Sequence, residues 1–137
     1  TGDGNPGRGA VKISIFMNVF NVHVNRAPCA GEVISIRYKP GKFLSANLDK
    51  ASALNERNTV LIRTEDGREV RVVQIAGLIA RRIVCWVEEG TKIRRGERFG
   101  LIRFGSRVEL FLPAGVNSLV KHGDKVRAGE TPIGELP

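Results

Sequence analysis

The chain is poor in everything that staples a small extracellular module or anchors a membrane span. It has two cysteines, Cys29 and Cys85, hence at most one disulfide. Neither sits in a CxxC or Cys/His pattern, so no metal site is expected and two reduced core or strand thiols are. No stretch approaches the ~18 consecutive apolar residues of a transmembrane helix, and no signal-peptide pattern is present. One Trp and one Tyr leave few surfaces on which bases could stack, which argues against nucleic acid as a partner. Acidic residues are also scarce: 22 Lys and Arg against 14 Asp and Glu give a formal charge of +8. That surplus attracts polyanions, and with nucleic acid disfavoured the expectation is an anionic membrane surface or an anionic substrate.

What is present points to strands. Of the 137 residues 42% are hydrophobic, enough for one core, and 16 glycines punctuate short runs rich in Val and Ile. The prediction is a single mostly β domain over residues 11–137, preceded by a flexible Gly-rich tail or linker over residues 1–10. A chain that starts at Thr1 without Met is expected to be part of a longer protein. Val11, Ile13, Ile15, Met17 and Val19 alternate as a half-buried strand does, and Gly31 to Tyr38 reads as another, stopped by Pro40-Gly41. Between Lys42 and Asn58 the β pattern lapses into a polar loop, with a helical turn expected at Asp49 to Asn55. Thr59 to Thr64 and Glu69 to Ala76 flank Glu65-Asp66-Gly67-Arg68, an Asp-Gly hairpin.

The C-terminal third repeats itself. Glu89-Gly90-Thr91-Lys92-Ile93-Arg94-Arg95-Gly96-Glu97 recurs as His122-Gly123-Asp124-Lys125-Val126-Arg127-Ala128-Gly129-Glu130, each copy followed by a short strand pattern closing on glycine (Gly100, Gly134). Two copies imply two similar hairpin edges in a small two-layer β sandwich. The pattern resembles the half-motif of biotinyl and lipoyl carrier domains, whose fold is a barrel-sandwich hybrid. Those domains carry their group on a lysine, and Asp49-Lys50-Ala51 has the matching tripeptide. Lys50 is therefore either a carrier lysine or a solvated loop lysine.

The Gly105-Ser106 step lies between two apolar runs. Inside a strand pattern such a pair marks a bulge or a close packing contact, or else the chemistry of a self-cleaving peptide bond. Gly105 lacks a Cβ, so its carbonyl carbon can be held where the Ser106 hydroxyl attacks it. The acyl group then moves from nitrogen to oxygen. The ester eliminates to dehydroalanine, and hydrolysis of that residue leaves a pyruvoyl ketone with loss of ammonia. A base is needed to take the hydroxyl proton. His122 falls in a turn, whereas His23 lies between two valines beside Asn21, Asn25 and Arg26, and it is either a structural histidine or that base.

The run Ile13-Ser14-Ile15-Phe16-Met17-Asn18-Val19-Phe20-Asn21-Val22-His23-Val24-Asn25-Arg26-Ala27-Pro28 resembles the phosphatidylserine decarboxylase family in its shorter bacterial and archaeal type. Tyr38-Lys39-Pro40-Gly41-Lys42-Phe43, Asn55-Glu56-Arg57-Asn58, Gln74-Ile75-Ala76-Gly77 and Arg98 to Val108 match it in the same order. The resemblance implies a self-processing proenzyme cut between Gly105 and Ser106, whose two pieces stay associated. The pyruvoyl group derived from Ser106 would be its cofactor, and His23 would act as base in maturation and as acid or base in turnover. It implies decarboxylation of phosphatidylserine, or of archaetidylserine, to the ethanolamine lipid through an imine on the pyruvoyl ketone. The basic surplus then has a use: Arg26, Lys39, Lys42, Arg81 and Arg82 are either candidates to hold the lipid phosphate or draw the domain to an anionic leaflet, or else a solvated basic face, with Arg26 first because it is three positions from His23. The place implied is peripheral, on the cytoplasmic face of the cell membrane, with any anchor upstream of this chain. The family's histidine is oriented by an aspartate in an upstream Ser-Pro-Ala-Asp-Gly type segment. No such segment precedes Val11, and truncation is the expected reason.

Overall fold

The computed structural model describes residues 11–16, 24–46, 51–78, 82–102, 106–113, 117–118 and 134–135. In chain order these form β1 (Val11–Phe16), β2 (Val24–Arg26), β3 (Gly31–Lys39), the single turn α1 (Ala51–Leu54), β4 (Arg57–Arg63), β5 (Glu69–Ile75), β6 (Val84–Cys85), β7 (Lys92–Ile93), β8 (Arg98–Leu101), β9 (Arg107–Leu112), β10 (Asn117–Ser118) and β11 (Gly134–Glu135). Six strands make one antiparallel sheet in the order β1-β9-β5-β4-β3-β7, and β2-β8-β6 make a second. Strands β10 and β11 pair separately.

The β4–β5 hairpin sets the register of the large sheet. Alternation places Val60 and Ile62 of β4, and Val70 and Val72 of β5, on one face, and all four are buried. The loop between them closes with the Thr64 amide donating to the Arg68 carbonyl and the Gly67 amide donating to the Thr64 carbonyl. Gly67 has φ 87°, a conformation costly for a residue with a Cβ, while Asp66 keeps an ordinary backbone. This is the three-residue hairpin loop that ends in a glycine bulge, and Asp66 supports it by accepting from Thr64 Oγ1 and pairing with Arg68 at 2.8 Å.

The two layers meet over a shared apolar core. Val33, Val60, Ile62, Val70, Val72, Val108, Leu110 and Leu112 of the large sheet pack with Phe99 of β8 and with Ala27 and Cys29, and Cys85 and Val87 pack against the cluster. The two-layer β structure read from the strand pattern is the observed one. The first repeat copy also folds as read: a turn at Gly90, buried Ile93 on β7, a turn at Gly96, and β8. The second copy lies outside the described residues apart from Gly134. One boundary moves. Strand β4 begins at Arg57 instead of Thr59, because Asn58 is a paired strand residue that faces the interior and finds an amide partner there, so its polarity does not mark a loop.

Both thiols are free, Cys29 buried and Cys85 partly exposed. Burial pushes the Cys29 thiol up to about 11, against a smaller opposing pull from the Arg68 guanidinium. Since the thiolate is the nucleophile, alkylation at pH 8 should label Cys85 and spare Cys29 until the protein is unfolded. Peptide mapping by mass checks this, and equal labelling of both in the native state would contradict it.

Candidate active site

Ser106 stands at the entrance of β9 and is 1% exposed. The next residue, Arg107, pairs with Phe16 of β1 on one side and Ile75 of β5 on the other, so this entrance lies inside the sheet and not on its edge. Alternation along β9 sends Val108, Leu110 and Leu112 toward the core, and Ser106 continues that phase. Arg107 and Glu109 take the opposite face.

On the core-facing side, a string of three amides joins the two sheets. Gln74 of β5, fully buried, donates from Nε2 to the Asn25 side-chain oxygen at 2.9 Å and to the Val84 carbonyl at 3.1 Å. Its Oε1 accepts from Asn58 Nδ2 at 3.0 Å. Gln74 pairs with Val108, two positions from Ser106 on the same face, so the string reaches the row that carries the serine. Gly100 makes the approach possible: a Cβ there would lie 2.4 Å from the Val84 carbonyl oxygen and 2.6 Å from Gln74 Nε2. Beside this, Asn55 closes the end of the sheet by donating to the Ala76 carbonyl at 2.7 Å and the Leu44 carbonyl at 2.8 Å.

On the opposite face, Glu109 is 1% exposed and lies 3.0 Å from Arg107 Nε and 3.1 Å from Lys12 Nζ. Arg107 also donates to Ser14 Oγ at 3.1 Å and to the Ala46 carbonyl at 3.4 Å. Arg57 faces the same group. Burial holds its guanidinium below the ordinary arginine range; the Glu109 charge opposes that shift and the Arg107 charge adds to it. One carboxylate thus offsets several cations directly behind Ser106.

Of the residues singled out by sequence, Ser106 is placed in this interior. Gly105, His23, Lys50, Arg81 and His122 lie outside the described residues. Strand β2 starts at Val24, the residue after His23, and pairs there with Leu101; Ile102, fully buried, follows. Val24, one residue after His23, and Leu101, five residues before Ser106, thus lie on paired strands. Arg26 is half-buried and donates from Nη1 to the Gly96 carbonyl at 2.9 Å, which ties β2 to the turn before β8. Lys39, Lys42 and Arg82 are exposed. The sequence reading did not single out the amide string or the Arg107–Glu109 pair. Their signal is a polar residue at a position where alternation in two paired strands calls for an apolar one, as at Asn58 and Gln74.

Ser106 is thus a buried serine opening an inner strand, with neutral amides on the same face of the sheet. The family model for phosphatidylserine decarboxylase matches residues 3–134, and the chain belongs to that family. It is 66% identical to a phosphatidylserine decarboxylase proenzyme of Syntrophus aciditrophicus over 123 residues, 90% of this chain and 58% of that protein. To those of Ruegeria pomeroyi and Aromatoleum aromaticum it is 57% and 58% identical, over 97% and 95% of this chain and 61% and 60% of theirs. The chain therefore spans about three-fifths of the length of these relatives.

Removing the Glu109 carboxylate leaves Arg107 buried against other cations. Glu109→Ala should cost about 3–5 kcal/mol of unfolding free energy, the usual penalty for breaking a buried pair from one side. Urea unfolding measures it, and a loss within the range of a surface substitution would show that the pair is not structurally needed.

Proposed function

We propose that this chain is the catalytic part of a self-processing phosphatidylserine decarboxylase, cut between Gly105 and Ser106. The observation that carries the proposal is the nearly complete burial of Ser106 at the mouth of an inner strand, beside an amide string and away from bulk water. A hydroxyl there has few competing waters to solvate it or to hydrolyse an ester. In the maturation step, His23 takes the Ser106 hydroxyl proton, Oγ bonds to the Gly105 carbonyl carbon, and the C–N bond breaks as the nitrogen gains a proton. Loss of the Ser106 α-proton then expels the Gly105 carboxylate from Cβ, and water releases ammonia from the dehydroalanine.

The surroundings of Ser106 suit the pyruvoyl group that this would leave. The face it occupies carries neutral amides and aliphatic side chains, while the charges sit on the other side of the strand. The group would supply an electrophilic ketone that condenses with a substrate amine and draws off electrons as carbon dioxide leaves. His23 would hold and return a proton at that position, and the core packing of Ile102 and Val108 would keep water out. The substrate reading is phosphatidylserine or its archaeal counterpart, with Arg26 near the phosphate, and the two pieces remain together after the cut.

The same end of the large sheet suits a lipid surface. Strand β3 ends and β4 begins there, and Tyr38, Leu54 and Leu78 are 57%, 43% and 55% exposed beside exposed Lys39 and Lys42. Apolar side chains set among cations are the composition of an interfacial contact. Among the described residues no helix is long and apolar enough to cross a membrane. The location proposed with this contact is peripheral, at the cytoplasmic face of the membrane.

Intact-mass measurement of the full-length gene product tests the cleavage. The expected result is two pieces that break before Ser106, the smaller lacking a free amine and reacting with carbonyl reagents. Ser106→Ala should stay whole and His23→Ala should cleave far more slowly; normal cleavage in either, or a lipoyl mass on Lys50, would overturn the assignment. Vesicle flotation tests the surface. Binding to phosphatidylserine-containing vesicles should weaken as salt rises and weaken further in Leu78→Asp, and salt-independent binding would count against the electrostatic dock.

A further inference from the structure

Asn25 holds a donor that the described part of the fold leaves unpaired. The side chain is 4% exposed, and its Nδ2 has no hydrogen-bond partner among the described residues. Its orientation is fixed from the far end of the amide string. Val84 offers Gln74 only a carbonyl, so Gln74 must turn its nitrogen that way, and its oxygen then faces the Asn58 amide. The second hydrogen of Gln74 Nε2 goes to the Asn25 oxygen at 2.9 Å. Asn25 is thereby obliged to point its nitrogen elsewhere. A buried N–H left unmade is costly, and such groups in native proteins call for an explanation.

We infer that Asn25 Nδ2 is a specificity determinant, the donor that receives the carboxylate of the substrate's amino-acid headgroup. The assignment rests on the decarboxylase reading above. Three features favour a carboxylate oxygen over other acceptors. The donor belongs to the string that reaches the Ser106 row, so a headgroup amine held at position 106 brings its own carboxylate into that neighbourhood. The donor is neutral, so it orients the carboxylate without the strong charge stabilisation that would hold it back from leaving as carbon dioxide. Finally, the product has no carboxylate. Once carbon dioxide has gone, the N–H is again unpaired, and the site loses its hold on the ethanolamine headgroup while keeping it for the serine one.

The experiment uses the processed full-length enzyme and a short-chain phosphatidylserine in detergent micelles, with phosphatidylethanolamine as competing inhibitor. In Asn25→Ala, loss of one hydrogen bond to a charged group should raise KM about ten- to a hundredfold, with kcat changed much less. Self-cleavage and the inhibition constant for phosphatidylethanolamine should stay near wild type. Asn25→Asp keeps the oxygen that Gln74 requires, so it serves if alanine unfolds the protein; its carboxylate should repel the substrate's and raise KM further. An unchanged KM in either folded variant overturns the assignment. So does a parallel loss of phosphatidylethanolamine affinity or of self-cleavage, which would mark a packing role. Wild-type protein that releases no carbon dioxide sinks the decarboxylase reading itself, whereas an active wild type with an indifferent Asn25 sinks only this inference.

Discussion

The side-chain amide of Gln74 is the contact on which the rest depends. It is fully buried and satisfies two acceptors and one donor, drawn from β2, β4 and the segment that carries Val84. Apolar packing alone would hold the two sheets together at many offsets, since hydrophobic burial has little directionality. Two hydrogen bonds that cross to the small sheet, from an amide whose orientation Asn58 fixes, admit one offset. That offset decides which residues of the small sheet stand over Ser106, and it depends in turn on Gly100, where any side chain would collide with the same amide.

Charge is partitioned by the pleat of β9. Alternation gives Ser106 an interior of neutral groups and gives Arg107 and Glu109 the reverse face, where the carboxylate collects cations from β1 and β4. Ser106 therefore sits within a few residues of a dense ionic cluster yet shares no face with it. Such an arrangement supplies rigidity to the strand entrance without placing a permanent charge on the face of Ser106.

The hairpin at Gly67, the strand pattern and the repeat turn at Gly96 were legible in the sequence because local rules govern them: alternation, turn chemistry and glycine punctuation. The Gly105-Ser106 step reads as chemistry only through its setting, with His23 and the matching blocks around it, and of these three residues only Ser106 is among the described ones. The start of β4 was misread for a physical reason. Asn58 is polar and single-sequence patterning treats it as loop, whereas its partner Gln74 lies 16 residues away and nothing local announces the pair. The Glu109 cluster escaped for the same cause, as it needs Lys12 and Ser14 from the other end of the chain. Pairings across strands far apart in sequence are what periodicity cannot supply.

Strand β9 is an inner strand, with β1 bound along one side over six paired positions and β5 along the other over five. A cut before Ser106 would put β9 on one polypeptide and both its neighbours on another. The mature molecule would then be a complex whose parts met while still one chain, at the high effective concentration that a covalent link provides. Its native state would be reached by an intramolecular search and kept afterwards only by strand pairing and burial. Once unfolded and diluted, the same two pieces would face a bimolecular search with a slot between two strands as its target. The cut would leave the folded state in place and remove the easy way back to it.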